Sequence, residues 1–274
     1  HDAQVVRQCG RRLHVVDGTF ELYRAHYSMR PDGPEKATRG LVASMRGLVF
    51  DNEERVTHLA VAFDNPIRSF RNDLFAGYKS DEGVPSELRS QFDAAEEAVA
   101  ALGITVWRMV EFECDDALAT AAVKYAPEFA QIRIMSPDKD FGQCLHGERV
   151  VMIDRIRKKL IDEKELRLRR GVGPESLADL LALTGDTADG IPGLSGFGEK
   201  TAATLLAKFI HVEAIPDDPS AWPKLRGADK LAETLKNSRK EVALYKHLAT
   251  LRIDVPLKET AEQLRVTSRT RAST

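Results

Sequence analysis

Short apolar runs that end in a carboxylate recur through the first half of the chain, separated by stretches with helical spacing. "LHVVD" (13–17) and "HLAVAFD" (58–64) read as strands, and each closes on an aspartate. "ITVWRM" (104–109) and "QIRIMS" (131–136) have the same character and are followed closely by acids. "RVVMI" (149–153) is a fifth candidate. "SELRSQFDAAEEAVAALG" sets Leu88, Phe92, Ala95, Val99 and Leu102 on one helical face, with Ser86 as N-cap and Gly103 as stop. Strands alternating with helices imply βαβ units, hence an α/β fold with a central, mostly parallel sheet flanked by helices. Ligands of such sheets bind beyond the carboxyl ends of the strands, where these acids collect.

After residue 172 the period becomes helical throughout: "PESLADLLALTG", "EKTAATLLAKF" and "DKLAETLKNSRKEVALYKHLATL". "DDPSAWP" reads as a loop, and the polar end "TSRTRAST" as a frayed tail. The expected organisation is an α/β core over residues 1–172 and a helical region over 173–274.

Composition narrows the class only slightly. The 274 residues are 43% hydrophobic, enough for a sizeable core. No apolar run approaches the roughly 20 residues of a membrane span, and "HDAQVVRQCGRR" lacks the apolar centre of a signal peptide. Cys9, Cys114 and Cys144 have no metal-like spacing, so reduced thiols in a cytoplasmic protein are expected. Net charge is −2, which argues neither for nor against a nucleic-acid partner. The segment "RIRKKLIDEKELRLRR" (155–170) carries eight basic residues against three acidic ones. It is either a solvated face or a phosphate-contacting surface, and charge pattern alone does not choose.

"ECDDALAT" (113–120) crowds three carboxylates into four residues at a helix start. The helix dipole favours each by only about 0.3–1 kcal/mol, so capping explains one of them at most. Asp17, Asp64, Glu113, Asp115, Asp116, Asp138, Asp140, Asp186 and Asp189 all fall at strand ends or turns. Any one has an ordinary structural role, as an Asx-turn or a cap. Together at one sheet edge they would repel strongly unless a cation joins them. Hard, oxygen-preferring Mg²⁺ or Mn²⁺ suits such a set, and zinc is disfavoured without a Cys or His cluster. Two such ions about 3.5–4 Å apart are the arrangement for in-line displacement at phosphorus.

At this point the chain resembles the 5′-nuclease family, which includes the flap endonucleases and the 5′→3′ exonuclease domain joined to bacterial DNA polymerase I. The resemblance covers about residues 13–256. It rests on "HVVDGTFELYRAHY", "VAFDNPIRSFRNDLFAGYK", "ECDDALAT", "SPDKDFGQCL" and "LTGDTADGIPGLSGFGEKTAATLL", several long motifs in the family's order. It implies a PIN-like nuclease core, with an arch over about residues 66–90, and a helix–three-turn–helix motif in the helical C-terminal region. It implies a free-standing member of bacterial type, monomeric, with a nucleoid-associated role in replication and repair and no membrane partner.

The resemblance assigns Asp17, Asp64, Glu113, Asp115 and Asp116 to a first metal ion, with Asp115 as bridge. It assigns Asp138, Asp140, Asp186 and Asp189 to a second. Arg71 and Lys79 would steer or polarise the scissile phosphate, and Arg24 would lie near the same phosphates. Gly193, Gly196 and Gly198 would let the loop and the helix that begins near Lys200 and Thr201 approach a duplex backbone. Loop carbonyls there would hold a K⁺, as in some relatives. The implied activity is two-metal-ion hydrolysis of DNA near a 5′ flap, nick, gap or free 5′ end.

Three positions depart from the family pattern: Glu82 in "YKSDE" stands where a basic residue is usual, Gly190 replaces Asn after Asp189, and Arg39 follows Thr38. The second is expected to loosen the second metal's surroundings. A PIN-like ribonuclease and a non-catalytic DNA-end-binding module remain the alternatives. The glycine motif speaks against the first, and the full set of nine acids against the second.

Overall fold

A computed structural model describes residues 10–272; Cys9 and most of the N-terminal "HDAQVVRQCGRR" lie outside the described residues. Six strands form one sheet in the order β3-β2-β1-β4-β5-β6. They are β1 (Arg12–Asp17), β2 (His58–Asp64), β3 (Thr105–Met109), β4 (Gln131–Met135), β5 (Val150–Asp154) and β6 (Lys159–Ile161). The first five are mutually parallel, and β6 returns antiparallel on β5. β6 lies inside the basic 155–170 segment, whose charge hid the alternation that marks a strand. Strand order reverses across β1 and β4, so the crevice above their carboxyl ends is the switch point of the sheet.

Burial on both faces explains why β1 and β2 read as near-continuous apolar runs. Leu13 and Val15 face one cluster, which holds Ala117, Leu118 and Ala121 of α6 (Cys114–Lys124) and Tyr125 at its C-cap. Val16 points the other way, towards α1 (Gly18–His26), α2 (Lys36–Phe50) and α5 (Phe92–Ala101). The arch segment contains two short helices, α3 (Phe70–Leu74) and α4 (Ser86–Arg89).

The single helix expected from Ser86 is broken at Ser90–Gln91, with Pro85 rather than Ser86 in the cap position. Gln91 turns its side chain to Thr38, accepting from the Thr38 amide at 3.0 Å and facing its hydroxyl at 3.1 Å. That contact gives Thr38 a structural role at the start of α2. Leu88, Phe92, Ala95, Val99 and Leu102 are all buried as one face despite the break.

α7 (Glu163–Arg170) packs Leu166 into the first cluster, whereas α8 (Leu177–Thr184), α9 (Glu199–Phe209), α10 (Ala228–Asn237) and α11 (Arg239–Ala249) surround a core of their own. α8 and α9 are joined by a looped connection over 185–198, where the resemblance expects the helix–three-turn–helix motif. After α11 the chain returns to the sheet, where Leu251, Val255, Leu257, Ala261 and Leu264 join the first core cluster. Within the expected frayed tail, whose residues 273–274 lie outside the described residues, Ser268–Ala272 form α12. Its Thr270 is buried, and Arg271 donates to the carbonyls of Val49 and Val56. Those carbonyls belong to the end of α2 and the entry to β2, and a polar sequence gives no sign of such a partner.

Candidate active site

The acids above the carboxyl ends of the strands are held by backbone amides. Asp17 ends β1 and accepts from Phe20 N at 2.9 Å, which caps α1. Asp64 ends β2 and accepts from Cys114 N at 2.7 Å, tying the start of α6 to the sheet. Asp138 follows β4 and accepts from Asp140 N at 2.9 Å. Asp186 and Asp189 sit in the loop after α8, where Asp186 accepts from Asp189 N at 3.3 Å.

Tertiary folding sorts five of the nine predicted acids into two compact groups. Asp17 and Asp115 come together with Cys114, and Asp140 with Asp186 and Asp189; within each group the ligand atoms lie within 4.8 Å of one another. Asp138 carries charge contacts to both groups, to Asp17 and Asp115 on one side and to Asp140, Asp186 and Asp189 on the other. Burial, reinforced by neighbouring acids, raises the Asp17 carboxyl to about 6 and Asp64 to about 7. Burial and Asp138 push Asp115 and Asp140 well above the usual carboxylate range. Asp115 takes no hydrogen bond from any described residue, and Asp140 Oδ1 is buried without a partner.

These oxygens are the donor set a hard divalent cation needs, and their mutual repulsion is what it would relieve. Cys114 was expected to be a plain reduced thiol; it is free and buried, and its Sγ lies 3.4 Å from Asp17 Oδ1, inside the first group. A third group, Asp179, His211 and Glu213, lies among the C-terminal helices and is already neutralised by Lys246, 2.7 Å from Asp179 and 2.9 Å from Glu213.

Asp116 and Glu113 stand apart from these groups. Asp116 is fully buried, and its two oxygens accept from Arg71 twice and from the amides of Glu113 and Arg252. With four donors in place it has no oxygen left for a metal, and its position as a ligand is corrected to that of a support. Capping absorbs one carboxylate of "ECDD", Asp116, and side-chain partners hold Glu113. Asp116 reaches back to the Glu113 amide, and Glu113 is held by Arg71 at 2.5 Å, Tyr78 OH at 2.9 Å and Lys79 at 2.9 Å. Burial opposes ionisation of Glu113, yet Lys79 and Arg71 outweigh it and hold its carboxyl below the usual range.

Arg71 therefore does not face a substrate. It is 1% exposed and also donates to the carbonyls of Leu248 and Thr250, which fixes the end of α11 to the acids. This corrects its expected role at the scissile phosphate. Lys79 keeps access: it is 30% exposed and lies 2.9 Å from Glu113 and 3.1 Å from Asp189. Burial alone would lower its pKa, but Glu113 and the surrounding acids hold it well above the ordinary value.

Tyr78 and Thr19 were not singled out from sequence. Tyr78 orients Glu113, and the Thr19 hydroxyl accepts from Asp64 N at 2.9 Å. Their signal was adjacency to Lys79 and to Asp17 in the motifs already quoted.

The predicted DNA-contacting residues have different surroundings. Arg24 lies on α1, part-exposed, 3.7 Å from the buried Glu21, which Arg155 also meets at 3.1 Å. Gly193 has φ +69°, and a Cβ there would collide with the backbone of Thr184 and Gly185, so its role is to seat the loop on α8. Gly196 also has positive φ. Gly198 has φ −76° and open space around it, so it leaves the start of α9 accessible rather than supplying unusual backbone geometry. Lys200 is exposed and Thr201 half-buried on the first turn of α9.

Gly190 does not loosen the site. Its φ is +76°, a Cβ would collide with the Gly77 carbonyl, and Lys79 N donates to Asp189 O at 3.0 Å. The missing side chain lets the arch close onto the loop carrying Asp189. The basic 155–170 segment is largely paired: Arg157 with Asp154, Lys159 and Arg169 with Glu165, Arg167 with Glu163 and Glu175, Arg170 with Glu199.

With this geometry in hand, comparison with known proteins is decisive. The family model "5'-3' exonuclease, N-terminal resolvase-like domain" matches residues 12–171, and "5'-3' exonuclease, C-terminal SAM fold" matches residues 172–272. The chain belongs to the 5′–3′ exonuclease family. Among relatives of this family member, a 5'-3' exonuclease of Aquifex aeolicus is 31% identical, over 87% of this chain and 83% of that one. DNA polymerase I of Mycobacterium leprae is 32% identical over 93% of this chain but only 28% of the relative, so the chain spans little more than a quarter of such polymerases. The fold of T5 5'-exonuclease with bound divalent zinc matches with a TM-score of 0.72 at 20% identity, covering 88% of this chain and 90% of that one. The catalytic core of Rad2 in complex with DNA substrate matches with a TM-score of 0.59 at 14% identity, covering 89% of this chain and 80% of that one.

Proposed function

We propose that the chain is a structure-specific 5′-nuclease, hydrolysing DNA phosphodiesters near 5′ ends as a 5′→3′ exonuclease and flap endonuclease in replication and repair. The observation that carries this reading is the pair of carboxylate groups at the switch point, Asp17 with Asp115 and Asp140 with Asp186 and Asp189, with Asp138 linked to both. Mg²⁺ or Mn²⁺ fits their carboxylate oxygens, and bound there would give Lewis-acid stabilisation to in-line displacement at phosphorus. The remaining residues act around that centre. Asp64 and Asp116 anchor α6, Arg71 locks the end of α11 behind the acids, and Tyr78 orients Glu113. Lys79 presents an ammonium between Glu113 and Asp189, where it can meet phosphate charge. The amides at the start of α9, beside Gly198, Lys200 and Thr201, are placed to grip a duplex backbone.

The test uses an end-labelled 5′-flap duplex, a nicked duplex, single-stranded DNA and an RNA strand, each with and without Mn²⁺. Metal-dependent cutting near the 5′ end of the duplex substrates supports the reading. Cleavage confined to RNA, or duplex binding without any cleavage, overturns it.

A further inference from the structure

The basic side chains of the arch differ in how far their charge is already neutralised. Arg71 is sealed among acids and carbonyls. Lys79 is shared between Glu113 and Asp189. Arg89 is folded back on Asp81, donating to its carbonyl at 2.6 Å and facing its carboxylate at 3.5 Å. Arg68 is different. It lines a small crevice with Asp64, Lys79 and Glu113. Among the described residues its guanidinium meets a single acid, Asp73, at 2.6 Å, these side chains are 63% and 71% exposed, and unlike Arg89 it stands at the crevice.

The rest of the arch tip is acidic on its surface, with Glu82 and Glu87 exposed and Asp81 half-exposed. The positive end of the arch is therefore the Arg68 end, at the lip of the acid cluster. An exposed pair such as Arg68–Asp73 is weak, whereas a guanidinium binds phosphate through two parallel hydrogen bonds. Exchange of Asp73 for a phosphate at Arg68 is thus favourable once a strand enters the crevice.

We propose that Arg68 contacts a phosphate of the DNA strand entering the acid cluster, and that Asp73 is a latch competing with that phosphate for Arg68. This rests on the nuclease reading above. Asp73 keeps the guanidinium folded against α3 until a strand arrives. Arg68 then carries the arch contact that the buried Arg71 cannot make.

The test measures binding of a fluorescent 5′-flap duplex without divalent metal across a salt series, then KM and kcat with Mn²⁺. Arg68→Ala should weaken binding about tenfold, as loss of one charge-assisted contact does. The slope of log affinity against log salt should fall by about 0.7–0.9, the value of one phosphate contact. KM should rise, and Tm should stay unchanged because the side chain is exposed. Arg68→Lys should restore part of the affinity. Asp73→Asn should tighten binding in the wild-type background and do nothing when combined with Arg68→Ala.

Wild-type affinity and salt slope in Arg68→Ala would overturn the contact. Equal tightening by Asp73→Asn in both backgrounds would reduce Asp73 to simple repulsion and overturn the latch. A wild-type protein that neither binds nor cuts the flap sinks both this inference and the nuclease reading, whereas wild-type cleavage with an indifferent Arg68→Ala sinks this inference alone.

Discussion

Arg71 and Asp116 face each other as a buried bidentate pair, with Nη1 2.8 Å from Oδ2 and Nη2 2.7 Å from Oδ1, and side chains 1% and 0% exposed. Each is also bonded to the end of α11 or the segment after it, Arg71 to the carbonyls of Leu248 and Thr250 and Asp116 to the Arg252 amide. The pair therefore holds the helical region against the acid cluster as well as neutralising charge inside it.

Removing one partner leaves the other charged, buried and unpaired. Arg71→Ala should cost about 3–5 kcal/mol of stability, read as a lower denaturant midpoint. A variant that loses cleavage while keeping the wild-type midpoint would instead return Arg71 to the reaction itself.

Asp115 has the opposite sign. Its carboxylate is repelled by Asp138 and Asp17 and has no hydrogen bond to lose. Asp115→Asn should raise the Tm of the metal-free protein while abolishing most cleavage. It should also shrink the thermal shift produced by Mn²⁺, which for one wild-type site at a hundredfold excess over Kd is worth about 2.7 kcal/mol. An undiminished Mn²⁺ shift in this variant would remove Asp115 from the ion-binding group.

The raised carboxyls make metal-free stability depend on pH. Asp17 at about 6 and Asp64 at about 7 bind protons more tightly in the folded chain than in the unfolded one, where a carboxyl of this type sits near 3.8. The folded state carries the extra protons between about pH 4 and 7, so stability contributed by these groups falls as pH rises through that window. Thermal scans without metal should show Tm declining from pH 5 to 8, and saturating Mn²⁺ should flatten the decline. A metal-free Tm that climbs across the same range would contradict the cluster's repulsion.

Two glycines of one loop should separate folding from binding. Gly193→Ala puts a side chain at positive φ against the end of α8 and should destabilise by about 1–3 kcal/mol from strain alone. A Cβ at Gly198 meets no neighbour, so Gly198→Val should leave Tm near wild type while weakening duplex affinity by crowding the start of α9. Unaltered duplex affinity in Gly198→Val, measured by anisotropy, would move the duplex grip away from this helix start.

The sequence by itself determined the five parallel strands and which acids collect at their carboxyl ends. Apolar runs buried on both faces leave no doubt about β1 and β2, and a strand that ends in Asp at a sheet edge must place that Asp in the crevice. It also determined the helix–loop–helix, because glycine spacing and a 3.6-residue period are local properties. Tertiary structure alone decided what each acid does. Asp115 and Asp116 are adjacent in the chain, yet helical geometry turns Asp115 to the crevice and Asp116 inward to Arg71, whose partners lie 177 and 179 residues away at Leu248 and Thr250. No local pattern records such a contact. The same holds for Gly190, which only the approach of Gly77 explains, and for α12, whose polar residues are ordered by carbonyls at the far end of α2. Charge type and period are written along the chain, but burial and pairing depend on which distant segments the fold brings together.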